Sequence, residues 1–226
     1  MDGEYSVEKM PYTNFKAIML KWLFIALLIT TITSTMLSLI NFIEIFEIGY
    51  LILLIVSSLL EIVFVILLAL KLSKLSIKSA KRYFIIYSII NGITLSLWIQ
   101  MVAPLASILA FGLTCAYFGL LYTIEKYTNF DFSPIGKICL SVLPILIIGY
   151  IILYFLQSSI MYYVIIFLDL IIFSGMTLYD LQKARIMYEE AEYHEVESAA
   201  LLSALELYLD FINIFIDILS VIADGC

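Results

Sequence analysis

Apolar residues in this chain gather in blocks of about twenty separated by short polar breaks, the length an α-helix needs to cross the ~30 Å hydrocarbon core of a bilayer. This pattern predicts membrane spans at 17–43, 49–70, 83–103, 105–124, 138–156, 159–180 and 200–222. Spans three and four meet at Pro104, and spans five and six meet at Gln157, Ser158 and Ser159. Both pairs read as tight helical hairpins. Pro144 is expected to kink span five. The expected architecture is an all-α integral membrane protein built as a seven-transmembrane-helix bundle, with residues 1–16 as a tail and 17–226 as one membrane domain. The tail carries Asp2, Glu4 and Glu8 where a signal peptide would be basic, so the first span is expected to be a retained anchor.

Composition removes the soluble alternatives. The 226 residues are 64% hydrophobic and 14% charged, with a mean hydropathy of +1.09, whereas a soluble chain of this size needs a polar exterior around its core. The formal charge of −7 comes with 12 basic residues that form no stripe, which excludes nucleic acid as a partner. Cys115, Cys139 and Cys226 are widely spaced, and His194 is the one histidine, a set that supports neither a disulfide framework nor a zinc site.

The basic residues orient the chain. Lys9, Lys16 and Lys21 precede or open span one, and Lys71, Lys74, Lys78, Lys81 and Arg82 follow span two. Lys126 and Lys137 bracket the loop after span four, and Lys183 and Arg185 follow span six. All lie on one side, so the amino terminus is expected to be cytoplasmic and the carboxyl terminus to lie on the opposite face.

Acidic residues inside the spans are the candidate chemistry, since each costs ~2.5 to 3.5 kcal/mol at mid-membrane on insertion scales. Glu61 falls in span two, Asp169 in span six, Asp180 at its cytoplasmic end, and Glu206, Asp210 and Asp217 in span seven. Ser203, Glu206, Asp210, Asn213, Asp217, Ser220 and Asp224 recur at alternating spacings of three and four, which places all of them on one helical face. Glu206 to Asp217 covers roughly 16 Å of that face. Asp169 and Asp180 are about three turns apart and share a face of span six. With no basic residue near mid-membrane, the charge is met by protons, by bound cations, or by Lys71 and Lys74 reaching in. We assign Glu61, Asp169, Glu206, Asn213 and Asp217 to an ion pathway; the bland alternative is protonated acids that join helices as hydrogen-bonded glue.

Other polar positions carry less. Asn91, Thr94 and Gln100 in span three read as interhelical hydrogen bonds, and Gly112 with Ala116 as a packing contact. The run Glu189, Glu190, Glu192, His194, Glu195 and Glu197 reads as a solvated helix extension.

Leu178-Tyr179-Asp180, followed by Ala204-Leu205-Glu206-Leu207-Tyr208-Leu209-Asp210-Phe211-Ile212-Asn213-Ile214-Phe215, closely resembles the paired carboxyl-terminal signature of the Bax inhibitor-1 family, also called the transmembrane Bax inhibitor motif family. Gly92-Ile93-Thr94-Leu95 and Leu60-Glu61 are similar to counterparts in its bacterial members. The resemblance implies a bundle of six helices around a central acidic seventh, acting as a pH-sensitive calcium leak channel. It makes Asp180 and Asp210 a pH-sensing pair that shares a proton and contacts Ca²⁺. Lys71 is the nearest match to the family's latch arginine, without that residue's forked contact. No tightly bound cofactor is implied, and Ca²⁺ is the permeant ion.

Independently of the family, two carboxylates held together in a poorly hydrated bundle repel, so they retain a proton and titrate as one unit. Calcium accepts carboxylate, amide and hydroxyl oxygens in flexible geometry, and span seven offers all three kinds. Two other functions are considered. One is a non-conducting regulator that binds other membrane proteins, either apoptosis factors or a membrane protease. The other is an intramembrane aspartyl protease, which Tyr179-Asp180 mimics; but Leu207-Tyr208-Leu209-Asp210 stands where Gly-x-Gly-Asp is required and no Pro-Ala-Leu follows, so no enzyme is expected. The membrane is the plasma or inner membrane in a bacterium, and an endoplasmic reticulum or Golgi-type membrane in a eukaryote or virus.

Overall fold

The computed structural model describes residues 9–46, 49–50, 52–53, 55–60, 64 and 76–225. Among the described residues seven helices are delimited: α1 Tyr12–Ser38, α2 Phe42–Phe46, α3 Ile77–Gln100, α4 Pro104–Tyr127, α5 Ser133–Leu156, α6 Ser159–Glu190 and α7 Val196–Gly225. There is no strand among these residues. Five of the described helices, α1, α3, α4, α5 and α6, are long and apolar enough to cross a membrane. The chain is an all-α integral membrane protein. Half of predicted span two falls outside the described residues; those described within it, 49–50, 52–53, 55–60 and 64, are helical.

Helix boundaries follow local chemistry. Pro104 opens α4, where its missing N–H costs nothing, and α3 ends at Gln100. The α5–α6 turn passes through Gln157 in the left-handed conformation (φ 49°, ψ 36°), which closes α5 through its N–H on the Leu153 carbonyl at 2.9 Å. Pro144 lies inside α5, which continues through it as one helix. The predicted ends moved where charge had been read as loop. α1 starts at Tyr12 after Pro11, α6 runs ten residues past Asp180 to Glu190, and α7 starts at Val196. The acidic run is therefore split, with Glu189 and Glu190 closing α6, a turn carrying Glu192 to Glu195, and Glu197 opening α7.

The described residues divide into two compact units, one within Met1–Leu97 and Ala184–Leu205, the other within Trp98–Lys183 and Glu206–Cys226. In the first, α1 buries Phe15, Met19, Leu23, Ala26, Thr30 and Ser34 along one face. Gly92 lets α3 approach that face, since a methyl group there would stand 2.7 Å from Thr33 Cβ. The Thr30 hydroxyl donates to the Ser88 carbonyl at 3.0 Å beside this contact. Thr94, expected to bond between helices, donates instead to Ile90 of its own helix at 3.4 Å. Lys81 pairs with Glu197 and lies over the Trp22 ring.

The second unit packs α4, α5 and α6 with the last two-thirds of α7. Phe111 and Phe118 meet Phe211 at ring distances of 5.8 and 5.5 Å, and the Tyr117 hydroxyl bonds Ser174 Oγ at 2.8 Å. Gly112 does not make the predicted packing contact among the described residues, none of which lies within 4 Å of a methyl group placed there. Close approach occurs between α5 and α6, where Gly136 faces the Tyr179 ring and Gly175 faces Cys139 Sγ. Along α7 no residue from Ala200 to Leu219 is exposed, whereas α5 leaves Ile145, Ile147 and Ile148 on the surface.

Candidate functional site

The site forms where α6 and α7 run antiparallel within the second unit. Each element contributes residues at helical spacing, Asp169, Thr177, Asp180 and Lys183 from α6 and Glu206, Asp210 and Asp217 from α7. In this register Lys183 faces Glu206, Asp180 faces Asp210, and Asp169 faces Asp217.

The first constellation lies at the Lys183 end. Asp180 and Asp210 are both buried, at 6% and 1% exposure, and Asp210 feels the charges of Asp180, Glu206 and Lys183. Lys183 donates from Nζ to Glu206 Oε1 at 2.6 Å and lies over the Tyr179 ring at 5.9 Å. The Thr177 hydroxyl donates to the Phe173 carbonyl at 2.8 Å and stands beside the Asp210 carboxyl. Asp210 Oδ2 and Glu206 Oε2 are buried without a hydrogen-bond partner among the described residues. Among the described residues three carboxyls thus face one ammonium, and proximity of like charges favours a shared proton.

The connection preceding α5 is pinned to this end. Gln182 Oε1 accepts from the Phe132 N–H at 2.7 Å, and Gln182 Nε2 donates to the Phe130 carbonyl at 3.2 Å. The next free amide of α5, that of Ser133, is held by Asp131 Oδ1 at 3.0 Å. This bond keeps the exposed Asp131 carboxyl below the ordinary carboxylate range.

The second constellation is deeper along the seam. The Tyr150 hydroxyl of α5 donates to Asp169 Oδ2 at 2.7 Å. Asp217 faces Asp169, is 4% exposed, and its Oδ2 has no partner among the described residues.

The pathway residues therefore separate into two groups. Glu206 joins Asp180 and Asp210, and Asp169 joins Asp217. Asn213 joins neither through its amide nitrogen, which donates to the Leu209 carbonyl of its own helix at 2.8 Å. Glu61 and the latch candidate Lys71 lie outside the described residues, as does Lys74. Lys183, Tyr150, Thr177 and Gln182 were not anticipated. Lys183 had been counted only as a loop cation, although it stands three positions after Asp180 on the same face. Among the described residues no three His, Cys, Asp or Glu side chains are grouped to hold a metal ion.

A family model described as "Inhibitor of apoptosis-promoting Bax1" matches residues 14–225. The chain belongs to the Bax inhibitor-1 family. Both constellations lie inside the matched region. Among relatives, the inner membrane protein YbhL of Escherichia coli (strain K12) is 31% identical over 154 residues, covering 66% of this chain and 65% of that protein. A membrane protein of Streptococcus pyogenes serotype M6 is 35% identical over 138 residues, covering 61% of this chain and 60% of its own length. A protein of Deinococcus radiodurans is 31% identical over 149 residues, covering 66% and 64%. The chain thus spans 65% or less of the length of these relatives.

Proposed function

We propose that this family member is a pH-sensitive calcium leak channel in which the Asp180–Asp210 pair is the gate. The observation that carries the reading is the burial of two facing carboxylates from antiparallel helices, with the Lys183–Glu206 ion pair one turn away. When both aspartates are ionised, their repulsion is relieved by Lys183 or by a divalent cation, and the seam is held closed. Protonation at acidic pH removes that demand, Lys183 loosens, and this end opens. Lys183 fills the latch role for which Lys71 was the sequence candidate. Calcium suits the path because carboxylates in small groups bind it weakly enough to release it. By the distribution of basic residues the gate faces the cytoplasm. The pair is not catalytic in this reading, because Leu207-Tyr208-Leu209 replaces the glycines that would let a substrate backbone approach Asp210.

The test is Ca²⁺ flux through purified protein in liposomes, from acidic to alkaline pH, for wild type, Asp180→Asn and Asp210→Asn. A leak that grows with acidity and loses its pH dependence in both variants is expected. Folded protein that conducts at no pH overturns the channel. It would move the function to a second reading, binding and restraint of another membrane protein, which the family description favours.

A further inference from the structure

The gate uses one end of the α6–α7 seam and leaves the deeper pair without a role. Asp169 and Asp217 face each other in the interior, at 9% and 4% exposure. The groups around them are Tyr150 of α5 and Tyr162 of α6, the latter within electrostatic reach of Tyr150. Among the described residues no lysine or arginine acts on either carboxyl. One oxygen of Asp169 is taken by the Tyr150 hydroxyl, and Asp217 Oδ2 is buried with no partner among the described residues. An ionised carboxylate left in this state is costly, and a proton, a cation or water must meet it.

A cavity of about 480 Å³ opens at the α5–α6 turn, lined by Leu153, Gln157, Ser158, Ser159, Tyr162 and Tyr163. Two phenols stand between this cavity and the carboxyls: Tyr162, which lines the cavity and is within electrostatic reach of Tyr150, and Tyr150, which bonds Asp169.

We infer that Asp169 and Asp217 form a second cation-binding station, entered from the α5–α6 turn and covered by the Tyr150 hydroxyl. Its use in conduction rests on the channel reading; its chemistry does not. An arriving divalent cation displaces the Tyr150 hydroxyl from Asp169 Oδ2 and bridges the two carboxyls, giving Asp217 Oδ2 the partner it lacks. Two carboxylates are too few protein ligands for tight storage, which suits a stopping place on a path.

Terbium(III), a calcium surrogate whose luminescence is sensitised by nearby tyrosine, tests the station on the full-length protein in detergent. Wild type should give a signal displaced by Ca²⁺, retained in Asp180→Asn, and weakened in affinity by about tenfold or more in Asp169→Asn and Asp217→Asn, the scale of one lost charge-assisted contact. Binding indifferent to both asparagine variants overturns the station. Tyr150→Phe keeps the ring and both carboxyls, so it guards against variants that fail to fold. Removing the covering hydroxyl should tighten binding by about threefold to tenfold, and unchanged affinity overturns the covered station. Liposome flux measured in parallel separates the two readings. Binding lost in Asp217→Asn with a non-conducting wild type overturns the channel and keeps the station. Conduction by wild type with terbium binding indifferent to Asp169 and Asp217 overturns the station and keeps the channel.

Discussion

Lys183 Nζ meets Glu206 Oε1 across α6 and α7 at 2.6 Å, one turn after Asp180 and one turn before Asp210. The ammonium therefore offsets a carboxylate that is only 21% exposed. Lys183→Met should cost about 1–3 kcal/mol, because Glu206 is left charged and unpaired. Thermal unfolding in detergent measures this. In Glu206→Gln the same lysine substitution should cost clearly less, and a double-mutant cycle with equal costs would show that the pair contributes nothing.

Gly136 seats the Tyr179 ring, and a methyl group there would overlap it. Tyr179 directly precedes Asp180, so Gly136→Ala should displace the proposed gate as well as the packing. A loss of about 1–3 kcal/mol is expected for overpacking a tight contact, together with an altered pH profile of flux. Gly112→Ala is the control, with open space around it and no expected effect.

Asp131 holds the Ser133 amide at the start of α5, and that bond depresses the pKa of its carboxyl. A depressed carboxyl stabilises above its unfolded-state value and loses the contribution as pH falls through its folded value, below about 4. Asp131→Ala should speed amide hydrogen exchange at Ser133 near neutral pH relative to wild type, and the difference should vanish in acid. Asp131→Asn, which keeps an acceptor oxygen, should restore protection without that pH dependence.

Gln157 adopts φ 49° with a side chain that pays a steric penalty in this region. Gln157→Gly should stabilise the α5–α6 turn by about 0.5–1 kcal/mol, read as a higher unfolding temperature. A lower temperature would show that the glutamine side chain, which lines the turn cavity, supplies more than the backbone strain removes.

Hydropathy alone located the long helices because each apolar block matches a bilayer crossing, and the proline and serine breaks marked the hairpins. Helical periodicity likewise put Asp180, Glu206 and Asp210 on facing stripes. It could not supply Lys183 as their partner, since a rule that counts cations by membrane side treats a lysine at a helix end as orientation, not as chemistry. Pairing α6 with α7 antiparallel would have revealed it, because Lys183 and Glu206 fall in register once Asp180 is set against Asp210. Tyr150 was invisible for another reason. A tyrosine in the apolar stretch of α5 has no periodic polar neighbours, and only the fold turns its hydroxyl toward Asp169. The end of α6 was misjudged because charged residues after Asp180 resembled a loop, although Leu181 and Ala184 are buried there.

Gln182 grips the connection before α5 through two directional bonds, to the Phe132 N–H and the Phe130 carbonyl. Turning α6 by a single residue, about 100°, would break both. On its opposite side at this end α6 meets α7, where Asp180 lies against Asp210 and Lys183 pairs with Glu206, contacts that protons and salt can loosen. One jaw of the seam is thus bolted and the other carries charge, and in the proposed gate acidity acts on the charged jaw.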